Sequence, residues 1–276
     1  MLGAIEAWKR RVETHHAQSE AVMAAASWSD DDFWQPYARY FRVDPRRQDD
    51  PVLDLLMSMV EPGSTALDVG GGAGRMALPM ALKCEHVAVV EPSDSMITQL
   101  RESSSEARIG NVSVTQAVWE DARVEEADIV LCAHVVYGVA DIEPFIRKLD
   151  GHASSLVVIL AFVESPMTRI SRFWKPVHGE ERIDMPALPE LVSALWEMGI
   201  YPDVQMMGPV MPDKFEDREV ALTQLRNRLY VRAGSEEEIR LKSAMDELLL
   251  DVDGGVMVKG VAQVRQGFLT WKPERG

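Results

Sequence analysis

The sequence predicts an α/β protein with a doubly wound, mostly parallel sheet, preceded by N-terminal helices and carrying helical insertions. Two observations predict it. Between Ala66 and Phe162, apolar runs of strand length alternate with helical segments, the pattern of βαβ units. Directly behind the first of these runs, "TALDVGGGAGRMALPMA" (Thr65 to Ala81) places four glycines in five residues, which is either merely a tight strand-to-helix turn or a point where something approaches the backbone closely.

Apolar residues at Leu2, Ile5, Trp8, Val12, Val22 and Ala26 recur near helical spacing and predict a first helix over residues 1–26. Asp30 to Asp32 before "FWQPYARYFR" predict a second, with Pro36 in its first turn, where a missing N–H costs little. "DDPVLDLLMSMV" reads as a third that stops at Pro62-Gly63. Strands follow at Ala66–Val69, His86–Glu91, Val112–Ala117, Ala127–Ala133 and Ser155–Phe162. The helices between them are Met76–Leu82, Ser93–Glu102 (capped by Ser93 or Asp94) and Ile142–Leu149. Pro79 inside a helix would cost about 3 kcal/mol, so its helix must kink or start late. Beyond Phe162, "SPMTRISRFWKPVHGEERIDMP" mixes prolines, arginines and aromatics. "LPELVSALWEMG" is a helix ending at Gly199, "YPDVQMM" is strand-like, and helices near Asp217–Leu229 and Ser235–Leu250 precede a late strand in "QVRQGFLTWK". Without a repeat or a linker, one domain is the economical reading. A helical cover over 1–60 meets a core over 61–276, with insertions near 163–186 and 213–252.

Composition bounds the function. No apolar run approaches the roughly 18 residues of a membrane helix, and charged residues interrupt the N-terminus where a secretory signal would need an apolar core, so the cytoplasm is the expected location. Two cysteines, Cys84 and Cys132, and scattered histidines offer no disulfide framework and no metal-ligand spacing. The net charge of −15 argues against a nucleic-acid partner, since phosphate contacts supply most of that affinity. The oligomeric state is not legible.

The glycine turn carries the chemistry. Glycines admit positive φ and bring no Cβ, and the helix that opens beyond them presents free N–H groups, which together make a site for a nucleotide at the carboxyl end of the strands. The spacing discriminates. A dinucleotide fingerprint starting at Gly70 needs glycine at 75, where Arg75 stands; the motif present is G-x-G-x-G. Glu91, 23 residues after Asp68, ends the second strand, where a carboxylate can accept both ribose hydroxyls of a nucleoside.

"LDVGGGAGRMALPMA", "VAVVEPSDSM", "VWEDA" and "IVLCAHVVYGV", in this order over residues 60–162, resemble the motifs of class I S-adenosylmethionine-dependent methyltransferases of the bacterial small-molecule type. The resemblance implies a Rossmann-like sheet of seven strands, the last antiparallel, with the pair near Val204 and Phe268 completing it. It implies that Asp68, Gly70, Gly71, Gly72 and Gly74 face the methionine part of S-adenosyl-L-methionine and that Glu91 holds the ribose. Pro92, Ser93 and Met96 would lie beside the adenine, followed by Trp119 and Glu120. Many members carry an aspartate–alanine pair at that last point, where this chain has Val118-Trp119. Ala133 and His134 would border the methyl group, and Tyr37, in an N-terminal aromatic helix, would reach the methionine carboxylate.

Each assignment has a plainer counterpart. Trp119 is as suited to the core as to stacking on a ligand, Tyr37 as suited to packing, and His134 is either a general base or a packed histidine. Arg169 to Arg182 is either a substrate cover for a planar or anionic acceptor or a solvated loop, and the acidic helix after Gly234 reads as a solvated face. The resulting expectation is methyl transfer to an oxygen or nitrogen of a small molecule. A non-catalytic module binding the same cofactor is the alternative, and an NAD-dependent oxidoreductase a more distant one.

Overall fold

The computed structural model describes residues 2–29, 32–210, 214–261 and 263–273. Its centre is a seven-stranded sheet formed by β1 (Thr65–Val69), β2 (His86–Val90), β3 (Val112–Thr115), β4 (Ala127–Ala133), β5 (Ala153–Phe162), β6 (Asp203–Met206) and, last in the chain, β9 (Gln266–Trp271). The spatial order is β3-β2-β1-β4-β5-β9-β6. Strands β1 to β5 pair in parallel, and β9 runs antiparallel to both β5 and β6. From β1 the chain moves outward through β2 and β3, then returns to lay β4 on the other side of β1. This switch point sits at the carboxyl end of β1, and a parallel sheet opens its crevice there.

Helices cover both faces, which is why the central strands are apolar throughout rather than alternating. On one face α2 (Pro51–Met59), α3 (Ala77–Ala81) and α4 (Asp94–Ala107) bury Leu53, Leu56, Met80 and Leu100 against Val87, Leu131 and Val158. On the other, α1 (Ala4–Ala25), α5 (Ile142–His152) and α8 (Leu188–Glu197) bury Trp8, Phe145 and Leu191 against Val130 and Val157. Asp50 caps α2 by accepting from Leu53 N, with Pro51 at the first helical position. Pro79 is accommodated because α3 starts only at Ala77, so the proline stands in its first turn.

Two expectations fail beyond the sheet. Over residues 33–42 there is no α-helix: turns lead into a single 3₁₀ turn at Ala38–Phe41. Of the expected acidic cap, Asp30 and Asp31 lie outside the described residues. Asp32 caps a different helix, its carboxylate accepting from Ser93 Oγ and Ser95 N at the start of α4. The segment after Phe162 is no solvated loop. Short helices α6 (Thr168–Ser171) and α7 (Trp174–His178) bury Ile170, Phe173, Trp174 and Val177 in a third apolar cluster. It is shared with α9 (Arg218–Arg228), α10 (Glu236–Leu248) and a hairpin of β7 (Leu249–Val252) and β8 (Gly255–Val258) that the sequence pattern does not announce. Arg182 stacks on Trp174 at 3.8 Å and bonds to the His15 carbonyl, so its charge is spent on holding α1.

Candidate active site at the glycine turn

The turn after β1 is held on all sides. Gly70 (φ +71°) donates its N–H to Val90 O at 2.7 Å, and a Cβ there would run into Val135. A Cβ on Gly71 would stand 2.8 Å from Val89 Cγ1, and one on Gly74 2.9 Å from Leu78 Cγ. These glycines are required by the protein's own packing. Gly72 differs: at φ +55° its Cβ would find nothing nearer than Met96 Sδ at 3.9 Å. Its freedom from a side chain leaves room at the mouth of the turn.

Two buried carboxylates stand behind it. Glu91 accepts from Gly72 N through Oε2 and from Ser93 N through Oε1, both at 2.9 Å, and so ties the turn to the start of α4. Burial raises its pKa and these two N–H bonds oppose the rise. Asp68 is fully buried on β1. It accepts from the Ala77 backbone, while Oδ1 has no hydrogen-bond partner. Burial first, and the negative Glu91 second, push its pKa up to about 7. An unpaired buried oxygen costs about 1–3 kcal/mol, a cost that a donor or a positive charge placed against it would relieve.

Ser93 is the α4 cap, with Met96 N donating to its hydroxyl. Met96 packs with Ala73 of the turn and Ala38 of the N-terminal segment. Pro92 is exposed on the lip, and its carbonyl accepts from Gln116 Nε2 at the end of β3. The structure therefore brings Asp68, Gly70 to Gly74, Glu91, Pro92, Ser93 and Met96 together around one crevice.

Trp119 packs on α5, and Glu120 beside it is exposed. Trp119 is buried against α5, its Nε1 donating to Phe145 O, His152 packed edge-on at 5.1 Å and Lys148 Nζ 4.5 Å above the ring. Lys148 also donates to the carbonyls of Trp119, Glu120 and Ala122. These bonds tie residues 119–122 to α5 and leave the tryptophan packed in the core. Tyr37 is likewise held. Its hydroxyl donates to Gln224 O on α9, and Arg228 lies 4.6 Å over its ring. The cover of the turn is made instead by the next residue, Ala38.

Ala133 and His134 end β4 beside the turn. His134 adopts φ +61°, an uncommon conformation for a side-chain-bearing residue, held by its N–H to Leu160 O and by stacking on Phe162 at 4.1 Å. Its Nδ1 pairs with Tyr137 Oη at 3.1 Å, the same oxygen that accepts Phe162 N, and its side chain also bonds Gln266 on β9. Burial, and then the Arg75 charge, lower its pKa to about 4. The imidazole is thus neutral at pH 7 and bonded to two side chains. Tyr137 stands three residues beyond His134 and is legible in principle; Gln266, on a strand 132 residues away, has no local signal.

Comparison with known proteins agrees with this geometry. Residues 67–153 match the family model described as a methyltransferase domain. The chain is 25% identical over 170 residues to an uncharacterized protein of Haemophilus influenzae, an alignment covering 59% of this chain and 62%, less than two thirds, of that protein. Among solved structures, YcgJ of Bacillus subtilis superposes with a TM-score of 0.55 at 15% identity, covering 81% of this chain and 98% of that one. A coclaurine N-methyltransferase bound to N-methylheliamine and S-adenosylhomocysteine gives 0.52 at 17% identity, with 94% and 87% covered. YjhP of Escherichia coli gives 0.51 at 14%, with 87% and 98% covered. These likenesses are of fold. Among the described residues no helix is long and apolar enough to cross a membrane, and no group of three or more histidine, cysteine, aspartate or glutamate side chains could hold a metal. Strand order, glycine turn and family match together place a methyltransferase domain over residues 67–153 of this chain.

Proposed function

We propose that the chain binds S-adenosyl-L-methionine at the glycine turn and transfers its methyl group to an oxygen or nitrogen of a small molecule. The observation that carries this reading is the pair of buried carboxylates behind an open Gly72, one of them with an oxygen unpaired. A cationic ligand fits that donor-seeking, negative cradle. Bound there, the cofactor supplies an electrophilic methyl on a sulfonium. Glu91 has both oxygens on backbone N–H groups but keeps further lone pairs, so it can hold ribose hydroxyls while fixing the turn.

Methyl transfer is an in-line displacement, and alignment supplies much of its acceleration. His134, stacked and bonded to Tyr137 and Gln266, serves alignment rather than proton abstraction. The acceptor then has to arrive as a ready nucleophile, an unprotonated amine or an ionised oxygen. Calorimetric titration with S-adenosylmethionine, S-adenosylhomocysteine and NAD, repeated on Glu91→Ala, tests the site. Micromolar binding of the first two, lost in the variant, is the expected result, and acceptor-dependent release of S-adenosylhomocysteine separates an enzyme from a binding module. Absence of binding by either sulfur ligand would remove the reading.

A further inference from the structure

Where the N-terminal segment meets the end of α9, three buried donors of the described residues are left without an acceptor. Trp28 Nε1, Asn227 Nδ2 and Arg228 Nε are all closed to solvent and have no hydrogen-bond partner. The three belong to one junction. Trp28 packs edge-on against Tyr230 with ring centroids 6.1 Å apart, Tyr230 N donates to Asn227 O, and Arg228 lies over Tyr37, whose ring meets Phe33 at 5.7 Å. Each buried donor left unpaired is unfavourable to the fold. Other arginines at this end of the molecule are committed: Arg226 faces Glu238, Arg232 donates to Ser27 O and Arg182 to His15 O. No carboxylate faces the Arg228 guanidinium among the ion pairs of the described residues, which is uncommon in a chain with 44 acidic residues and 29 basic ones.

The junction also adjoins the glycine turn. Arg228 covers Tyr37, and the neighbouring Ala38 packs on Ala73 of that turn. We propose that Arg228, Asn227 and Trp28 form the recognition site for a planar, carboxylate-bearing methyl acceptor, which enters between residues 32–37 and α9. This rests on the methyltransferase reading for its role, while the anion site itself does not. A carboxylate offers only acceptors, about four lone-pair directions, and matches a guanidinium fork; the surrounding Phe33, Tyr37 and Tyr230 rings suit a flat body. Because the donors are closed to solvent, the ligand has to part the stretch from Phe33 to Tyr37 from α9 to reach them.

The test is titration of benzoate and of its uncharged isostere benzamide into the whole chain, alone and saturated with S-adenosylhomocysteine, followed by protein-ligand NMR saturation transfer and calorimetry. Benzoate is expected to bind saturably and benzamide at least tenfold more weakly. Arg228→Gln should lose the benzoate preference, Arg228→Lys should keep part of it, and both should bind S-adenosylhomocysteine as the parent does. Equal binding of the two probes, or an undiminished benzoate preference in Arg228→Gln with cofactor binding intact, overturns the proposal. Failure of the parent to bind S-adenosylhomocysteine, with benzoate preference retained, sinks the methyltransferase reading and leaves the anion site standing.

Discussion

The glycine turn and the α9 junction are opposites. At the turn, two buried carboxylates back a run of glycines, and an oxygen, Asp68 Oδ1, lacks a donor. At the junction, three buried N–H groups lack acceptors and an arginine faces an aromatic ring instead of an acid. Native proteins satisfy nearly all buried polar atoms, so surpluses of opposite sign in adjoining places are informative. On the reading proposed above, they suit a cation on one side and an anion on the other. The same physics also separates the turn's own glycines: three are required by the protein's packing and Gly72 by open space.

The sharpest way to break that contrast is to fill the turn. Gly70→Ala drives a Cβ into Val135 at φ +71°; strain and overpacking together should cost about 2–5 kcal/mol, read as a fall in the urea midpoint. Gly72→Ala meets nothing within 3.9 Å and should cost only about 1–2 kcal/mol of left-handed strain while still blocking cofactor binding in a calorimeter. Equal destabilisation by the two would end the distinction.

Next in size is the charge at Asp68. Its pKa is about 7 when folded and 3.8 as a model group, so the folded chain holds a proton that the unfolded chain releases. Its contribution to stability is therefore present below pH 4 and lost as pH rises through 7. Asp68→Asn should remove that slope, gaining on the parent between denaturation midpoints at pH 5 and pH 8, and should weaken binding of the cationic cofactor more than of neutral S-adenosylhomocysteine. A slope that survives the substitution would place the titration elsewhere.

His134 has the reverse sign. With its pKa lowered to about 4, its contribution is complete above the ordinary histidine value of 6.5 and is lost as pH falls through 4. Because it is neutral across the physiological range, kcat/KM should show no inflection near 6.5 that His134→Asn abolishes; asparagine tolerates the left-handed backbone, and the fold should lose only about 1 kcal/mol. An inflection that vanishes in the variant would restore the general-base role. At the small end, Arg147→Ala removes an exposed pair with Glu143 one helical turn away, and stability should stay within about 0.5 kcal/mol of the parent.

What could be read without the structure follows from range of interaction. The strands at Ala66–Val69 and Ala127–Ala133, the Ser93 cap and the late start forced by Pro79 depend on period, capping chemistry and backbone sterics, all local quantities written in neighbouring residues. The glycine turn and Glu91 belong with them, because the turn is contiguous and the second strand follows it directly. Where Tyr37 and Trp119 pack is not legible, for the opposite reason. Gln224 and Arg228 capture the tyrosine from 187 and 191 positions away, and Lys148 ties the tryptophan's loop to α5, choices that only the packed chain makes. The helix expected over residues 33–42 fails because tertiary anchors outweigh propensity there: Ala38 settles on the glycine turn and Asp32 is taken as the cap of α4. By itself the sequence determined the sheet and where it would open. Which donors and acceptors were left unpaired around that opening was decided by contacts between distant segments, since hydrogen-bond satisfaction is a property of the assembled interior.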